Sequence, residues 1–326
     1  MGSTKFITGM RDVFFTGLYE IFKRDKNCVF ITADNGAPTL DNFAKDFPKQ
    51  YYNVGIAEQQ LIGMACGMAF EGKKVYTYAI APFVTIRCFD QNKLDMCAMN
   101  LPIVNLGVGA GYAYDIMGPS HHTVEDISVM RTLPNLVIYG PADVTTAHAL
   151  VDITYQSSSP QYIRFDRAGI PDLYEGQGVR FEDGLVHVIG DGTSDVTIVA
   201  TGIMVHNALK VAKNLEQHGI RVSVIDLFCL KPINQELLLS LIKISRSLVT
   251  LEEHLLAGGM GSAVIEILSD HDVKIPTLRI GQEDRFVFDY GGREVIWEKY
   301  GLDVSSVTKK ISTWLKTQTK DQVLAF

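Results

Sequence analysis

The sequence predicts an α/β protein with two doubly wound sheets in succession, and three observations support this. Short apolar segments alternate with helical patterns over residues 1–165. Residues 166–195 lose that periodicity and are rich in Gly, Asp, Glu and Pro, as a linker would be. The alternation then resumes, and strands that are apolar on both faces favour parallel sheets covered by helices on two sides. We expect domains at 1–180 and 181–326.

The first half alternates strand and helix throughout. Short apolar runs bounded by polar or Gly residues predict five strands: Cys28–Ala33, Val75–Ala79, Ile103–Val108, Leu136–Tyr139 and Tyr162–Phe165. Apolar residues at helical spacing predict five helices: Arg11–Arg24, Ala57–Phe70, Val84–Met99, Val124–Arg131 and Val144–Ser157. A Gly-rich loop over residues 107–118 separates the third strand from the fourth helix.

The second half repeats this alternation on a smaller scale. Its predicted strands are Val196–Ala200, Val222–Asp226, Leu248–Leu251 and Thr277–Ile280. Its predicted helices are Met204–His218, Asn234–Ile244 and Met260–Leu268, and two further helical stretches close the chain.

Composition describes a globular protein that acts on small molecules. The chain has 326 residues, 47% of them hydrophobic, and a formal charge of −7, which argues against nucleic acid or an anionic membrane as the main partner. The five cysteines form no CxxC pair, and their odd number favours a reducing cytoplasm. The N-terminal residues lack a signal-like apolar core, and no apolar stretch approaches the ~18 residues of a membrane span. We therefore expect a cytoplasmic protein.

The segment Tyr52–Gln60 (YNVGIAEQQ) places a carboxylate, Glu58, at the start of a helix. In isolation, the helix dipole would explain an acid there. The segment, however, resembles the glutamate motif of the transketolase and deoxyxylulose-phosphate synthase families almost letter for letter. The resemblance implies that Glu58 hydrogen-bonds N1′ of the aminopyrimidine of thiamine diphosphate, with Ile56 beside the cofactor. A carboxyl group at N1′ favours the imino tautomer that takes the proton from C2 of the thiazolium.

Three bulky residues follow at intervals of three: Phe83, Ile86 and Phe89. This spacing predicts one side of a helix, and such a stripe usually faces the core. The segment is similar to the transketolase segment whose aromatic residues enclose the pyrimidine ring. The resemblance therefore implies cofactor contacts, and stacking on a Phe contributes ~0.5–1.5 kcal/mol beyond area burial.

Adjacent histidines, His121 and His122, follow Gly118-Pro119-Ser120. A histidine pair is usually a surface feature, but this run is similar to the GPTH segment of transketolases. The resemblance implies that His121 hydrogen-bonds substrate oxygens and assists proton transfer, with His122 supporting it. Full-length transketolases carry Asp just before this segment, where the present chain has Met117. The acceptor sugar therefore stays open, and a nucleotide-linked sugar is one alternative.

Phosphate recognition is also implied by the resemblance. Arg11, Thr39 and Arg167 match the family's phosphate-contacting Arg, Ser and Arg. A guanidinium grips phosphate through two hydrogen bonds, and a hydroxyl adds a neutral donor. Asp34 matches an Asp near the thiazolium and the subunit contact.

The tripeptide Gly190–Gly192 (GDG) looks like a diphosphate motif but lacks the downstream Asn pair, so a polar hairpin turn is the better interpretation. We therefore expect no metal site in this chain. The family's diphosphate-binding domain would come from a separate subunit that carries GDG and the Asn pair and holds Mg²⁺. The signature Leu251–Ser262 resembles the domain that builds the family's dimer, which implies an α₂β₂ assembly with a β–β contact. The implied reaction moves a two-carbon ketol unit from a ketose phosphate to an aldose.

Three alternatives remain at this point. Deoxyxylulose-phosphate synthase shares the glutamate segment but carries an Arg where this chain has Gly107–Gly111. The β-subunit of 2-oxo-acid dehydrogenase E1 also pairs with a separate α chain, but its loop typically contains HSQ rather than Gly118–His122. A non-catalytic interaction protein of the same fold is the third alternative, and the presence of Glu58, His121 and both arginines argues against it.

Overall fold

The computed structural model describes residues 9–167, 169–190 and 192–323. The strands of its first sheet are β1 (Cys28–Thr32), β2 (Tyr51–Asn53), β3 (Lys74–Ile80), β4 (Ile103–Val108), β5 (Val137–Tyr139), β6 (Gln161–Phe165) and β10 (Cys229–Lys231). They lie in the order β10-β5-β6-β4-β3-β1-β2, and all are parallel except the edge strand β10. The predicted parallel sheet is confirmed.

Helices cover both faces of this sheet because apolar residues lie on one side of each helix. On one face lie α1 (Met10–Arg24), α2 (Pro38–Asp46) and α7 (Val144–Gln156). On the other lie α3 (Glu58–Phe70), α6 (Asp126–Met130) and the short helical segments α4 (Ala81–Val84), α5 (Phe89–Gln91) and a π-helix (Asn92–Ala98). Every residue of the central strands β1, β4 and β6 is buried, as a sheet covered on two sides requires.

The second sheet has five strands: β7 (Val186–Ile189), β8 (Val196–Ala200), β9 (Val222–Asp226), β11 (Leu248–Leu255) and β12 (Thr277–Gln282). They lie in the order β12-β11-β8-β9-β7 and are parallel except for the edge strand β7. The helices of this half are α8 (Met204–Glu216), α9 (Gln235–Ile242), α10 (Met260–Asp270), α11 (Arg293–Tyr300) and α12 (Val304–Val323). The second doubly wound domain is therefore also confirmed.

Three local predictions are wrong. The helix predicted over Val84–Met99 is broken by a turn at residues 85–88 and continues as a π-helix. The GDG turn is not a hairpin, because β7 pairs with β9 and not with β8; its central residue, Asp191, lies outside the described residues. Strand β10 comes from the second half of the sequence but completes the first sheet through β5.

Buried polar contacts fix the two halves against each other. The backbone N–H of Ile127 in α6 donates to Nε2 of His254 in β11 (3.1 Å). In α11, the Arg293 guanidinium pairs with Asp166 after β6 (2.6 Å) and with Glu253 in β11. These contacts hold the loops after β4 and β6 against the second sheet, which positions the histidine loop. None of the helices in the described part of the chain has the length and apolar character needed to cross a bilayer.

Candidate functional site

Glu58 is the first residue of α3 and is only 4% exposed. The chain reaches it through Gly55, whose φ of +74° is accessible to glycine at no steric cost. The partial positive charge of the helix N-terminus favours a carboxylate there. Its Oε2 accepts a hydrogen bond from Nη1 of Arg87 at 2.8 Å. A buried carboxylate thus lies at the carboxyl edge of the first sheet.

Phe83 lies close to Glu58 because the broken segment after β3 turns back toward α3. The Arg87 guanidinium stacks on the Phe83 ring, with its carbon 3.9 Å from the ring centroid. The Phe83 ring also meets the His121 ring edge-to-face at 5.1 Å. Glu58, Arg87, Phe83 and His121 therefore form a continuous row of contacts.

His121 sits in the loop between the 3₁₀ turn at Asp115–Met117 and α6. Its Nδ1 lies 2.9 Å from the Ser120 hydroxyl, and its ring also contacts Tyr114 at 5.8 Å. Burial lowers the pKa of His121, and the positive charge of Arg87 lowers it further. The imidazole is therefore neutral near pH 7 and able to accept a proton.

Two arginines lie beyond Tyr114. The Arg167 guanidinium lies over the Tyr114 ring at 4.9 Å, and Arg11 donates to the Tyr78 hydroxyl at 3.1 Å. Although burial raises the pKa of the Tyr114 hydroxyl, the positive charges of Arg167 and Arg11 both lower it. Both predicted phosphate-binding arginines therefore act on the same tyrosine. The row of site residues has a carboxylate at one end and two cations at the other.

Other predicted site residues do not join this row. Phe89 packs against the apolar core under the sheet and therefore faces away from Phe83, because the predicted helix between them is broken. The stripe of Phe83, Ile86 and Phe89 is therefore not a single surface. Ile86 is half-buried, whereas Ile56 is 79% exposed two residues before Glu58.

Asp34 and Thr39 lie in the loop after β1 and at the start of α2. Asp34 is exposed at a positive φ of +53°, and its carboxylate accepts from Asn53 Nδ2 at 3.1 Å. Thr39 is half-buried. Within the described ranges, neither residue contacts the row from Glu58 to Arg167.

His122 and His121 point into different surroundings. The His122 ring contacts Tyr112 edge-to-face at 5.0 Å and lines a cavity of about 440 Å³ between the two halves of the chain. Burial lowers its pKa as well. Met117 is 49% exposed beside the histidine loop. His122 therefore supports the loop from the side opposite His121.

The sequence analysis missed three residues of this site: Arg87, Tyr114 and Tyr78. Arg87 had a detectable signal, since it is the lone cation in the apolar run from residue 79 to 89. The two tyrosines had none, because Tyr78 is buried in β3 and Tyr114 belongs to a loop whose position depends on the second domain.

Family models match both halves of the chain. The transketolase pyrimidine binding domain matches residues 8–171, and the transketolase C-terminal domain matches residues 184–307. One of the two subunits named for apulose-4-phosphate transketolase in Phocaeicola vulgatus is 36% identical over 307 residues, which cover 94% of this chain and 97% of that protein. A solved structure described as a split gene transketolase, inactive beta4 tetramer, has a TM-score of 0.83 and 36% identity; the match covers 94% of this chain and 98% of that chain.

A longer relative matches over only part of its length. 1-Deoxy-D-xylulose-5-phosphate synthase of Caldanaerobacter subterraneus is 35% identical over 301 residues, 92% of this chain but 48% of that protein. The chain thus spans about half the length of that synthase and nearly all of the Phocaeicola protein. From these matches and the fold, the chain belongs to the transketolase family.

Proposed function

We propose that this chain is one subunit of a split, thiamine diphosphate-dependent transketolase. The observation that carries the proposal is the buried Glu58 carboxylate in one row with Phe83 and His121. A buried acid, an aromatic face and a neutral imidazole are the groups that would bind an aminopyrimidine and move a proton at an adjacent substrate.

The residues present fit the pyrimidine half of the cofactor. The contacts of Arg87 indicate that the space between Glu58 and Phe83 accepts a planar nitrogen-rich group. In the proposal, Glu58 bonds N1′ and Phe83 stacks on the ring, while Ile56, Ile86 and Phe89 border the site and Asp34 lies toward the thiazolium. The cofactor, when bound, supplies the nucleophilic carbon that cleaves a ketose.

The cationic end fits a phosphorylated substrate. Arg11 and Arg167 would hold the phosphate with help from Thr39, because guanidinium groups bind phosphate through paired hydrogen bonds. His121 would accept and return the proton of a substrate hydroxyl, and His122 would hold its loop in place. The products would be a shortened aldose phosphate and a ketose extended by two carbons.

A separate polypeptide would supply the diphosphate site and its Mg²⁺. Large apolar side chains without cover support such a partner: Phe286 is 74% exposed, Phe288 69% and Tyr290 67%. Exposed Ile56 next to Glu58 extends this argument to the cofactor edge. We propose an α₂β₂ assembly in the cytoplasm, with sugar phosphates as substrates and with domains of this chain at 1–180 and 181–326.

The experiment is reconstitution with a chain of the same source that carries the pyrophosphate-binding half. Thiamine diphosphate, Mg²⁺ and a ketose phosphate are added, with apulose 4-phosphate and xylulose 5-phosphate as first donors, and the released aldose phosphate is measured. We expect turnover only when both chains are present. Full turnover by this chain alone would contradict the split-enzyme proposal.

A second candidate is a synthase of 1-deoxy-D-xylulose 5-phosphate, favoured by the 35% identity to such an enzyme. The same reconstituted complex, supplied with pyruvate and glyceraldehyde 3-phosphate, separates the two. Formation of 1-deoxyxylulose 5-phosphate with no ketose cleavage would favour the synthase.

A further inference from the structure

The Arg87 side chain contacts the two groups that the proposed function assigns to the aminopyrimidine. Its Nη1 donates to Oε2 of Glu58 at 2.8 Å, and its guanidinium lies 3.9 Å from the centroid of Phe83. Glu58 is 4% exposed, so this cation is the partner that compensates its buried charge. The same side chain thus meets the acid and the aromatic face together.

A guanidinium and an aminopyrimidine offer similar contacts. Both are flat, both carry N–H donors on an N–C–N edge, and both stack on an aromatic ring. Arg stacks on aromatic faces and pairs with carboxylates more readily than Lys because its charge is spread over a plane. A flat N–C–N group therefore satisfies Glu58 and Phe83 simultaneously, whichever molecule provides it.

We propose that Arg87 is a placeholder for the cofactor: in the free subunit it occupies Glu58 and Phe83, and the aminopyrimidine displaces it. This inference rests on the proposed function. It makes Arg87 a competitor for the site, so that cofactor affinity reflects the difference between the two sets of contacts.

The surroundings of Arg87 allow the exchange. Its side chain is 43% exposed, and among the described residues its guanidinium makes no hydrogen bond except the one to Glu58. The backbone stays in place because Gln59 Nε2 donates to the Arg87 carbonyl at 3.3 Å. Rotation of the side chain toward water therefore opens the site and leaves the backbone unchanged.

Binding of an aminopyrimidine fragment to the free chain tests this inference. The probe is 4-amino-5-hydroxymethyl-2-methylpyrimidine, which lacks the diphosphate and does not need the second polypeptide. Its Kd is measured by calorimetry or NMR for wild type, Arg87→Gln and Arg87→Lys. We expect Arg87→Gln to bind about ten-fold tighter, and Arg87→Lys to fall between it and wild type because a lysine pairs with Glu58 but stacks poorly.

Arg24→Gln is the matched control, since Arg24 makes an exposed ion pair with Asp152 at 4.0 Å on the α1 surface. Its affinity for the probe should equal that of wild type. A second readout is independent of the cofactor: the positive charge of Arg87 lowers the pKa of His121, so Arg87→Gln should raise the pKa measured by NMR for that imidazole. This readout reports where Arg87 lies in solution.

The outcomes separate the two proposals. Equal or weaker binding by Arg87→Gln, in a complex that still cleaves a ketose phosphate, overturns the placeholder role and leaves the proposed function intact. An unchanged His121 pKa in Arg87→Gln also overturns it. If the probe binds to none of the variants and the reconstituted complex does not bind thiamine diphosphate, the proposed function fails and the placeholder role fails with it.

Discussion

Acidification should weaken the contact between the two halves of the chain through His254. Nε2 of His254 accepts backbone N–H groups of Ile127 at 3.1 Å and Ser128 at 3.4 Å, while Nδ1 donates to the Leu255 carbonyl at 2.8 Å. The native contacts therefore require a neutral ring with its proton on Nδ1. Complete burial lowers the pKa of His254 from 6.5 to about 4; Asp126 opposes this shift and the positive charge of Arg164 adds to it.

The sign of the effect follows from the order of protonation. The unfolded chain takes up this proton near pH 6.5, whereas the folded chain resists it until about pH 4. Stability from this group is therefore complete above pH 6.5 and is lost as the pH falls toward 4. The gap between the two pKa values corresponds to roughly 3 kcal/mol at full protonation of the unfolded state.

The assay is urea unfolding of wild type and His254→Gln at pH 7.5, 5.5 and 4.5. Glutamine keeps an acceptor for the two N–H groups but does not titrate, and other carboxylates titrate equally in both proteins. We expect the difference in free energy of unfolding to shrink by about 2 kcal/mol between pH 7.5 and 4.5. A difference that stays constant over this range would refute the reasoning.

Three further predictions concern the domain contact and the substrate end. Gly111→Ala should cost about 2–4 kcal/mol of stability, measured by urea unfolding, because φ is +61° and an added Cβ would clash with the Glu253 carboxylate. Arg293→Met should cost about 3–5 kcal/mol in the same assay, since it removes the cation that buried Glu253 and Asp166 share. Arg167→Ala should raise KM for a ketose phosphate about ten-fold or more with a smaller change in kcat, because it removes a charge-assisted grip on the phosphate.

Matched variants check each of these. Gly36→Ala adds a Cβ with no atom within 4 Å and should be nearly neutral. Lys299→Met removes an exposed ion pair to Asp289, and Arg180→Ala removes an exposed arginine. If any of these controls matches its partner variant, the corresponding contact is not responsible for the effect.

Local patterning predicted most of the fold. The strands of both sheets were predicted because parallel strands covered on two sides are short, continuous apolar runs. Glu58 was predicted at a helix start, and the structure places it at the first residue of α3. Arg11 and Arg167 were predicted as phosphate ligands, and both approach Tyr114 in the structure, although their role stays a prediction.

The broken helix could not be predicted because its cause is distant in sequence. Asn92 Nδ2 donates to the carbonyls of Val84 and Thr85, and Asn105 Nδ2 donates to the carbonyl of Val84. Asn105 belongs to the neighbouring strand β4. Side-chain amides thus satisfy carbonyls that a continuous helix would have used, and the chain turns at residues 85–88.

That turn also explains why the site differed from its prediction. A regular helix would have aligned Phe83, Ile86 and Phe89 and pointed Arg87 elsewhere. The turn instead brings Arg87 onto Phe83 and Glu58. Strand β10 escaped prediction for a similar reason: three residues are too short for a pattern, and the partner strand β5 lies about 90 residues earlier.

The most direct measurement for the role of Glu58 is the exchange rate of the C2 proton of thiamine diphosphate in the reconstituted complex, followed by NMR after quenching in acid. Glu58→Gln is compared with wild type, and Gln59→Glu serves as a neighbouring control on the exposed side of α3. We expect exchange at least about 100-fold slower in Glu58→Gln and unchanged in the control. Equal exchange rates in wild type and Glu58→Gln would contradict the account.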